Sequence, residues 1–554
     1  MPRPFPPPPI LLFVLTAGGC TSYAVRDADR EVARILEGLE RDQIEARIPR
    51  LVHPEPAPPP ESAPASRPAG GAESAPATEP AAGPEPARLG VKESIRLAVR
   101  QSRGYRDQVE TLYLQALSLT GTRRGFSPRL TGVLSYLFSN ADASAPSHAG
   151  AASLGVSQIL PLGGTLTLSA DERASLTKEA PELDSAGDPI SVHDTSFGDP
   201  TYSGSLTARY QQNLLRGFGY EASHDALIQA ERSMVYAARE FELFRQDFTV
   251  DVARRFYGLV SQQRVVENNR VRAGTAKRNL AQSEALHRVG RLNRVDLYRA
   301  QGDALSAEND LLAAEQAFRD SLDQFKIFLG LSTSERLEIL PEEPPFVPVS
   351  YSLPSAIAAA EANRLDFKTD ADQLEDARRA VRIAAQGLHA DLTLDVAGAL
   401  AAPDVAGVGN QRFGDGSLTA GLALGLPLDR KAERNAYRSA TIALDRAKRA
   451  YDLAHDNLAL EVRRSLRELE RARTTLDIQR RAIETAGLRV RIATIQFRAG
   501  DVSNRDVVEA ERELLDAKNQ EIEQRVAYEI ARLQLRRNLG TLLVDPEGLW
   551  VEER

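Results

Sequence analysis

The chain has 554 residues and a formal net charge of −8, from 69 Lys and Arg against 77 Asp and Glu. That balance argues against nucleic acid as a partner, which requires concentrated basic surface. The seven histidines (His53, His148, His193, His224, His287, His389, His455) form no metal-ligand pair at helical spacing, and no P-loop, nucleophile elbow or HExxH is present, so no catalytic residue, metal or cofactor is expected.

The start, MPRPFPPPPILLFVLTAGGC, has one positive charge at Arg3 and an apolar core from Ile10 to Ala17. That core is too short to span a bilayer as a helix, so residues 1–19 read as a secretory signal peptide. Ala17-Gly18-Gly19-Cys20 resembles the lipobox of bacterial lipoproteins, although Ala17 stands where Leu is usual. The resemblance implies lipid on Cys20; the alternative is an ordinary cleavage site beside an incidental cysteine. Thr21 stands where an Asp would retain such a protein in the inner membrane, so the resemblance implies the outer membrane. Within residues 20–53, the stretch 27–48 is amphipathic, with Val32, Ile35, Leu36 and Leu39 on one helical face. Residues 54–88, mostly Pro, Ala, Glu and Ser, bury almost nothing and read as an extended tether.

The body begins near Leu89 and falls into two repeats, 89–345 and 346–545, followed by a short tail at 546–554. Residues 91–123 carry helical periodicity, which Gly125 and Pro128 end. Leu130, Gly132, Leu134, Tyr136 and Phe138 then alternate with Thr131, Val133 and Ser135, a strand pattern that recurs at 153–159, 164–172 and 203–212 between polar loops at 139–151 and 175–201. The second repeat opens with helical residues 353–387 and continues with strands at 390–400 and 417–426. The run GVGNQRFGDG at 407–416 has Arg412 where a dinucleotide fingerprint needs its third glycine, and reads as a loop.

Both repeats close on a helical hairpin. HRVGRLNRVDLYRAQGDALSAEN at 287–309 lies over FRAGDVSNRDVVEAERELLDAKN at 497–519, with Gly290 on Gly500 and Asp296 on Asp506. From about Ala432 to Arg498 there is no proline, which predicts a helix about 100 Å long. Val462, Leu469, Leu476, Ile483, Val490 and Phe497 recur every seven residues, as do Val252, Leu259, Val266, Ala273, Leu280 and His287. A strict seven-residue repeat demands a left-handed supercoil.

Alternating strands in an exported chain without a hydrophobic helix suggest an outer-membrane barrel. One half has too few strands to close one, and open edges are not tolerated in lipid, so several chains must share it. The chain here resembles the TolC-type outer-membrane efflux proteins over residues 89–545. The likeness rests on the duplicated helix–strand–helix order, on the two tip motifs, and on Gln212-Asn213-Leu214-Leu215-Arg216-Gly217-Phe218-Gly219, which is similar to a QPLLRGFG turn with Asn213 for Pro. It implies a mostly α fold with a β-barrel portion, in which long coiled hairpins form a periplasmic α-barrel continuous with a transmembrane barrel shared by a trimer. It also implies a periplasmic adaptor and an inner-membrane pump as partners.

For the sites, the resemblance implies a constriction at the second tip, with Phe497, Gly500, Asp506 and Glu509 matching the family motif. Val502 stands where that motif has a basic residue, which leaves its salt-bridge scheme open, with Asp501 and Arg505 as substitutes. Unpaired carboxylates at a narrow mouth repel one another and favour dilation; paired with arginines they lock. The alternative role for Asp296 and Asp506 is to cap the helix after each turn. Arg288, Arg291, Arg294 and Arg299 make the first tip basic, around Gly290, suiting it to face the acidic second tip or to receive the adaptor. The rival readings are a coiled lipoprotein scaffold without a pore and a periplasmic adaptor. Two hairpins in fixed register with strand inserts argue against the adaptor.

Overall fold

The computed structural model describes residues 20–42, 87–139, 147–177, 201–406, 415–426, 428–499 and 501–551. The first repeat runs β1 (Ala87–Leu89), α2 (Val91–Gln101), α3 (Arg103–Phe126), β2 (Arg129–Ser139), β3 (Ser147–Ile159), β4 (Gly164–Thr177) and β5 (Thr201–Asn213). It continues with α4 (Tyr220–Ser223), α5 (Asp225–Arg288), α6 (Arg294–Leu329) and β6 (Leu337–Ile339). The second runs α7 (Leu353–Asn363), α8 (Leu365–Gln386), β7 (Asp391–Ala406), β8 (Asp415–Gly425), α9 (Lys431–Ala499) and α10 (Asn504–Asn538). Ahead of both stands α1 (Cys20–Asp42), which starts earlier than the amphipathic pattern at 27–48 and buries Val32 and Ile35. The signal peptide, the tether up to residue 86 and the loop at 407–414 lie outside the described residues.

The chain divides into two spatial units that cut across the two sequence repeats. One comprises the described residues of Leu114–Tyr236 and Asp370–Tyr451, together with those from Cys20 to Val32. It holds a six-stranded antiparallel sheet in the order β2-β3-β4-β5-β7-β8, so that the repeats meet where β5 pairs with β7. Its strands reach further into the polar loops than alternation alone indicates. Ser147 pairs with Ser139, Thr177 with Ser147, and Asp415 with Ala401, because ladder hydrogen bonds continue where hydrophobic alternation fades.

The other unit comprises the described residues of Ala33–Tyr113, Ala237–Thr369 and Asp452–Arg554. It holds the tip-bearing parts of the four long helices and the parallel pair β1–β6. The seven-residue stripe is core: Val252, Leu259, Val462, Leu469 and Leu476 are buried. Towards the tips small residues take over, with Ala273, Ala276, Ala304 and Ala307 packed in the first hairpin and Ala493, Val507 and Ala510 in the second. Phe248 stacks on Phe328 and packs at a tilt against Phe244, and Tyr105 lies against Phe241 and Phe248.

The helical entry of each repeat is broken into two helices, at Ser102 and at Arg364, both extended. The sequence has no proline at either place, and only Gly104 stands beside the first. The cause is tertiary: Gly330, with φ +86°, and Gly540, with φ +67°, end α6 and the turn after α10 directly against these breaks. An added Cβ would lie 2.2 Å from the Gln101 carbonyl oxygen at Gly330 and 2.8 Å from the Asn363 carbonyl carbon at Gly540. The two glycines stand at equivalent positions of the duplication.

The residues expected as a C-terminal tail are packed as far as Val551. Gly548 lies against Ile95 and Val99, Arg96 pairs with Glu547 at 2.6 Å, and the Thr249 hydroxyl donates to the Gly548 carbonyl at 2.9 Å. Beneath this segment Glu242 and Arg245 form a buried ion pair at 2.7 Å, and Arg245 also donates to the Asp545 carbonyl at 2.5 Å. Burial pushes the Glu242 carboxyl up to about 7, against the opposing pull of Arg245 and Gln246. The folded pKa thus exceeds the unfolded one. The associated stability is complete below the ordinary carboxylate range and is lost as pH rises through about 7. Between pH 5 and pH 8 the wild type should lose about 1–3 kcal/mol at this site. Thermal unfolding of Glu242→Gln should give a flatter pH profile; parallel profiles would show that Glu242 is ionised throughout.

Candidate functional site

Two regions carry functional features, the sheet and the helix tips. In an antiparallel ladder directly paired residues share a face. The register therefore puts Leu134, Leu154, Leu168, Leu206, Leu400 and Leu422 on one face of the sheet. Over the paired register of the described residues the only acid on that face is Glu172, set between Ala152 and Gly204. The opposite face carries Arg129, Asp171, Arg173, Arg209, Asp391 and Asp395, interspersed with Ser, Thr, Ala and Gly. Across it Arg209 binds Asp395 at 2.6 Å.

Neither face forms a core. β2 is exposed along its whole length and Leu134 is 73% exposed, as are Leu418 and Leu422 on β8 at 79% and 68%. The strands have 11, 13, 14, 13, 16 and 11 residues in sheet order, each enough for a tilted membrane crossing of about 9–11 residues. At the loop end of the apolar face His148 packs on Phe138 at 4.9 Å and bonds the Tyr136 hydroxyl at 2.5 Å; Tyr210 lies towards the other end. Aromatic side chains at both rims of an apolar band are the mark of a lipid interface. No helix among the described residues is long and apolar enough to cross a membrane.

At the first tip α5 ends at Arg288, and Gly290, with φ +75°, makes the turn. The Arg291 amide donates to the Leu286 carbonyl, and His287 Nδ1 donates to the Leu292 carbonyl at 2.8 Å. The cap of α6 is Asn293, whose side-chain oxygen accepts from the Asp296 amide at 2.8 Å, so Asp296 sits one turn inside and pairs with Arg299 at 3.2 Å. Arg288, Arg291 and Arg294 are exposed and form no ion pair among the described residues. Among the described residues, therefore, no ion pair joins the basic tip to the acidic one.

At the second tip Gly500 lies outside the described residues. The Asp501 amide donates to the Gln496 carbonyl at 2.9 Å, and its side chain is exposed. Ser503 caps α10, and its hydroxyl and amide donate to the Asp506 carboxylate at 2.8 and 2.9 Å. These donors, the hydroxyl foremost, hold Asp506 below its ordinary range. Phe497 packs on the Ala493, Val507 and Ala510 cluster. Glu509 lies 3.8 Å from Arg489 and 4.0 Å from Arg505, so its partners are arginines of its own hairpin. The Cys20 side chain lies outside the described residues.

Three turns above the first tip is a node that the sequence did not indicate. Asp303 binds Arg272 of its own hairpin at 3.3 Å and Arg512 of the other at 3.0 Å. Beside it burial, then the Asp303 charge, raise the pKa of Glu511. Asn268 and Asn519 make a second bond between the hairpins at 2.6 Å. No local spacing signals such pairs; only the 210-residue register, which sets α6 and α10 in equivalent places, points to the neighbourhood. Among the described residues no cluster of His, Cys, Asp and Glu could hold a metal ion.

Comparison with known proteins agrees with this picture. Residues 356–541 match the family model of the outer membrane efflux protein. A comparison with curated protein sequences gives no match. Among solved structures, the outer membrane protein VceC from Vibrio cholerae superposes with a TM-score of 0.57 at 16% identity, covering 81% of this chain and 96% of that one. The CmeC outer membrane channel of Campylobacter jejuni gives 0.59 at 13% identity, over 81% and 85%. The open state of the MtrE outer membrane channel of Neisseria gonorrhoeae gives 0.57 at 13% identity, over 81% and 88%. At these identities the shared property is the fold: long helices joined to a strand portion.

Proposed function

We propose that this chain, which belongs over residues 356–541 to the outer membrane efflux protein family, is one third of a passive conduit through the outer membrane. Three copies share a transmembrane barrel, and the helical hairpins enclose a water-filled path in the periplasm. A periplasmic adaptor meets the tips and links the conduit to an inner-membrane transporter, which supplies the free energy. What supports a pore wall is the two-faced sheet with two unpaired edges. Its apolar face suits lipid, its polar face suits water, and in lipid an open edge would leave a row of backbone groups unsatisfied. A soluble coiled scaffold has no use for such a sheet. Lipid on Cys20 would add an anchor in the same membrane.

In this reading no covalent chemistry is done; the work of the tips is electrostatic. Asp506 fixes the geometry of the turn through Ser503, and Glu509, drawn to Arg489 and Arg505, holds the second hairpin in its own arginine set. That leaves Arg288, Arg291 and Arg294 to engage acidic groups on a neighbouring copy or on the adaptor. The mature protein, purified in detergent, should run as a heat-modifiable trimer and show a small, cation- or anion-selective conductance in planar bilayers. The double variant Arg291→Asp, Arg294→Asp should raise that leak several-fold or lose adaptor binding. Wild-type behaviour in both assays would remove the tip role, and a preparation that never conducts would favour the scaffold.

A further inference from the structure

We infer that the shared barrel has eighteen strands, six from each copy, closed where β8 of one copy pairs antiparallel with β2 of the next; this rests on the trimeric pore proposed above. The first repeat supplies four strands and the second two, so one hairpin has no counterpart in the duplication, and within the first repeat the hairpin at the free edge of the sheet is β2–β3. Three observations place that hairpin in the wall rather than over its mouth. First, pairing is unbroken from β2 to β5, over eleven residue pairs between β2 and β3, thirteen between β3 and β4, and twelve between β4 and β5. Second, the face shared by all six strands is apolar, and it includes the contribution of the extra hairpin: Leu154 and Val156 of β3 stand beside Ala170 and Leu168 of β4.

Third, the tight turn at 160–163 is fixed to the 214–219 turn that ends β5. The Leu162 carbonyl accepts from Gly219 at 3.1 Å and from the Gln212 side chain at 2.9 Å, and the Pro161 carbonyl accepts from the Ser223 hydroxyl at 3.2 Å. Gly163, with φ +88°, lies where a Cβ would be 2.6 Å from the Gly217 carbonyl oxygen. At this end, therefore, the extra hairpin is level with its neighbours.

The free edges fit each other. Six antiparallel strands alternate in direction, so β2 and β8 run oppositely, and copies set side by side continue the ladder without a parallel step. Both edge strands have 11 residues and expose leucines on the same face. At a strand spacing of about 4.8 Å and a tilt of about 40°, eighteen strands make a backbone cylinder about 36 Å across, against about 24 Å for twelve. Because the inward face is mostly Ser, Thr, Ala and Gly, the water path is about 25 Å wide, and the barrel takes bulky solutes, large amphiphiles or peptides rather than only small ions.

Cysteine pairs test the edge. In a Cys20→Ser background, Thr131→Cys on β2 is combined in turn with Ser417→Cys, Thr419→Cys and Gly421→Cys on β8, and Thr167→Cys on β4 is combined with the same three. Under mild oxidation one of the β2–β8 combinations should give covalent dimers and trimers from outer membranes, while the β4 set stays monomeric on denaturing gels. Linkage from β4 and not from β2 would mean a twelve-stranded barrel with the extra hairpin outside it; the trimeric pore would stand and the inference would fail. Linkage in neither set, with a monomeric mass in detergent, would overturn the pore itself. Neutral polymers too large for a twelve-stranded barrel should still lower the wild-type conductance by entering the lumen; their exclusion would also overturn the inference.

Discussion

Leu206→Arg should remove the protein from the outer membrane. Leu206 lies in the middle of β5, paired with Ala170 on β4 and Leu400 on β7, on the apolar face. An arginine on a lipid face near the bilayer midplane costs about 2–4 kcal/mol, and in the trimer proposed above three copies would place three of them at one depth. The combined penalty of about 6–12 kcal/mol is comparable with the whole stability of a typical folded protein. The heat-modifiable trimer in the membrane fraction should be lost. Thr207→Arg, one residue on and facing the opposite way, should be recovered at near wild-type level with altered ion selectivity. Equal recovery of the two variants would refute the assignment of the sheet's faces.

Gly330→Val should unfold the helical unit. The left-handed backbone there costs a β-branched residue about 1–2 kcal/mol or more, before any clash is counted. Added to it is a Cβ 2.2 Å from the Gln101 oxygen, a backbone atom that cannot rotate away. We expect a loss of at least about 3 kcal/mol, seen as a fall in melting temperature and rapid proteolysis between α5 and α6. Gly290→Ala is the control. It has the same sign of φ, +75°, but nothing within 4 Å of the added Cβ, so it should cost only about 1 kcal/mol. If both glycines tolerated substitution equally, the close approach at the α2–α3 break would have no energetic weight.

Much of this architecture could be read from residues. Period two gave the strands, period seven the hairpin cores, and the 210-residue register the duplication. Those signals are strong because they record which side of each element is buried, and burial repeats. What was not legible depends on contacts between distant segments. The breaks at Ser102 and Arg364 lie inside continuous helical patterns and exist because another helix ends against them. At the tips, acids suggested caps; Asn293 and Ser503 are the N-cap residues, and of the acids three positions on Asp506 does cap in return, accepting from the Ser503 amide, whereas Asp296 does not. The sequence offers several polar candidates in each turn, and only geometry chooses among them. The Asp303 node is of the same kind, since Arg272 and Arg512 reach it from two hairpins.

The packed C-terminal segment bears on the order in which the chain can fold as it is exported. Every strand of the sheet has been delivered once Gly425 has emerged. The helical unit, in contrast, gathers its parts from three stretches, and Arg245 and Thr249 gain their partners at Asp545 and Gly548 only when the last few residues arrive. A sheet with an apolar face is thus presented while the helical unit is still incomplete. During that interval it needs either the membrane or a holding factor to keep it from aggregating.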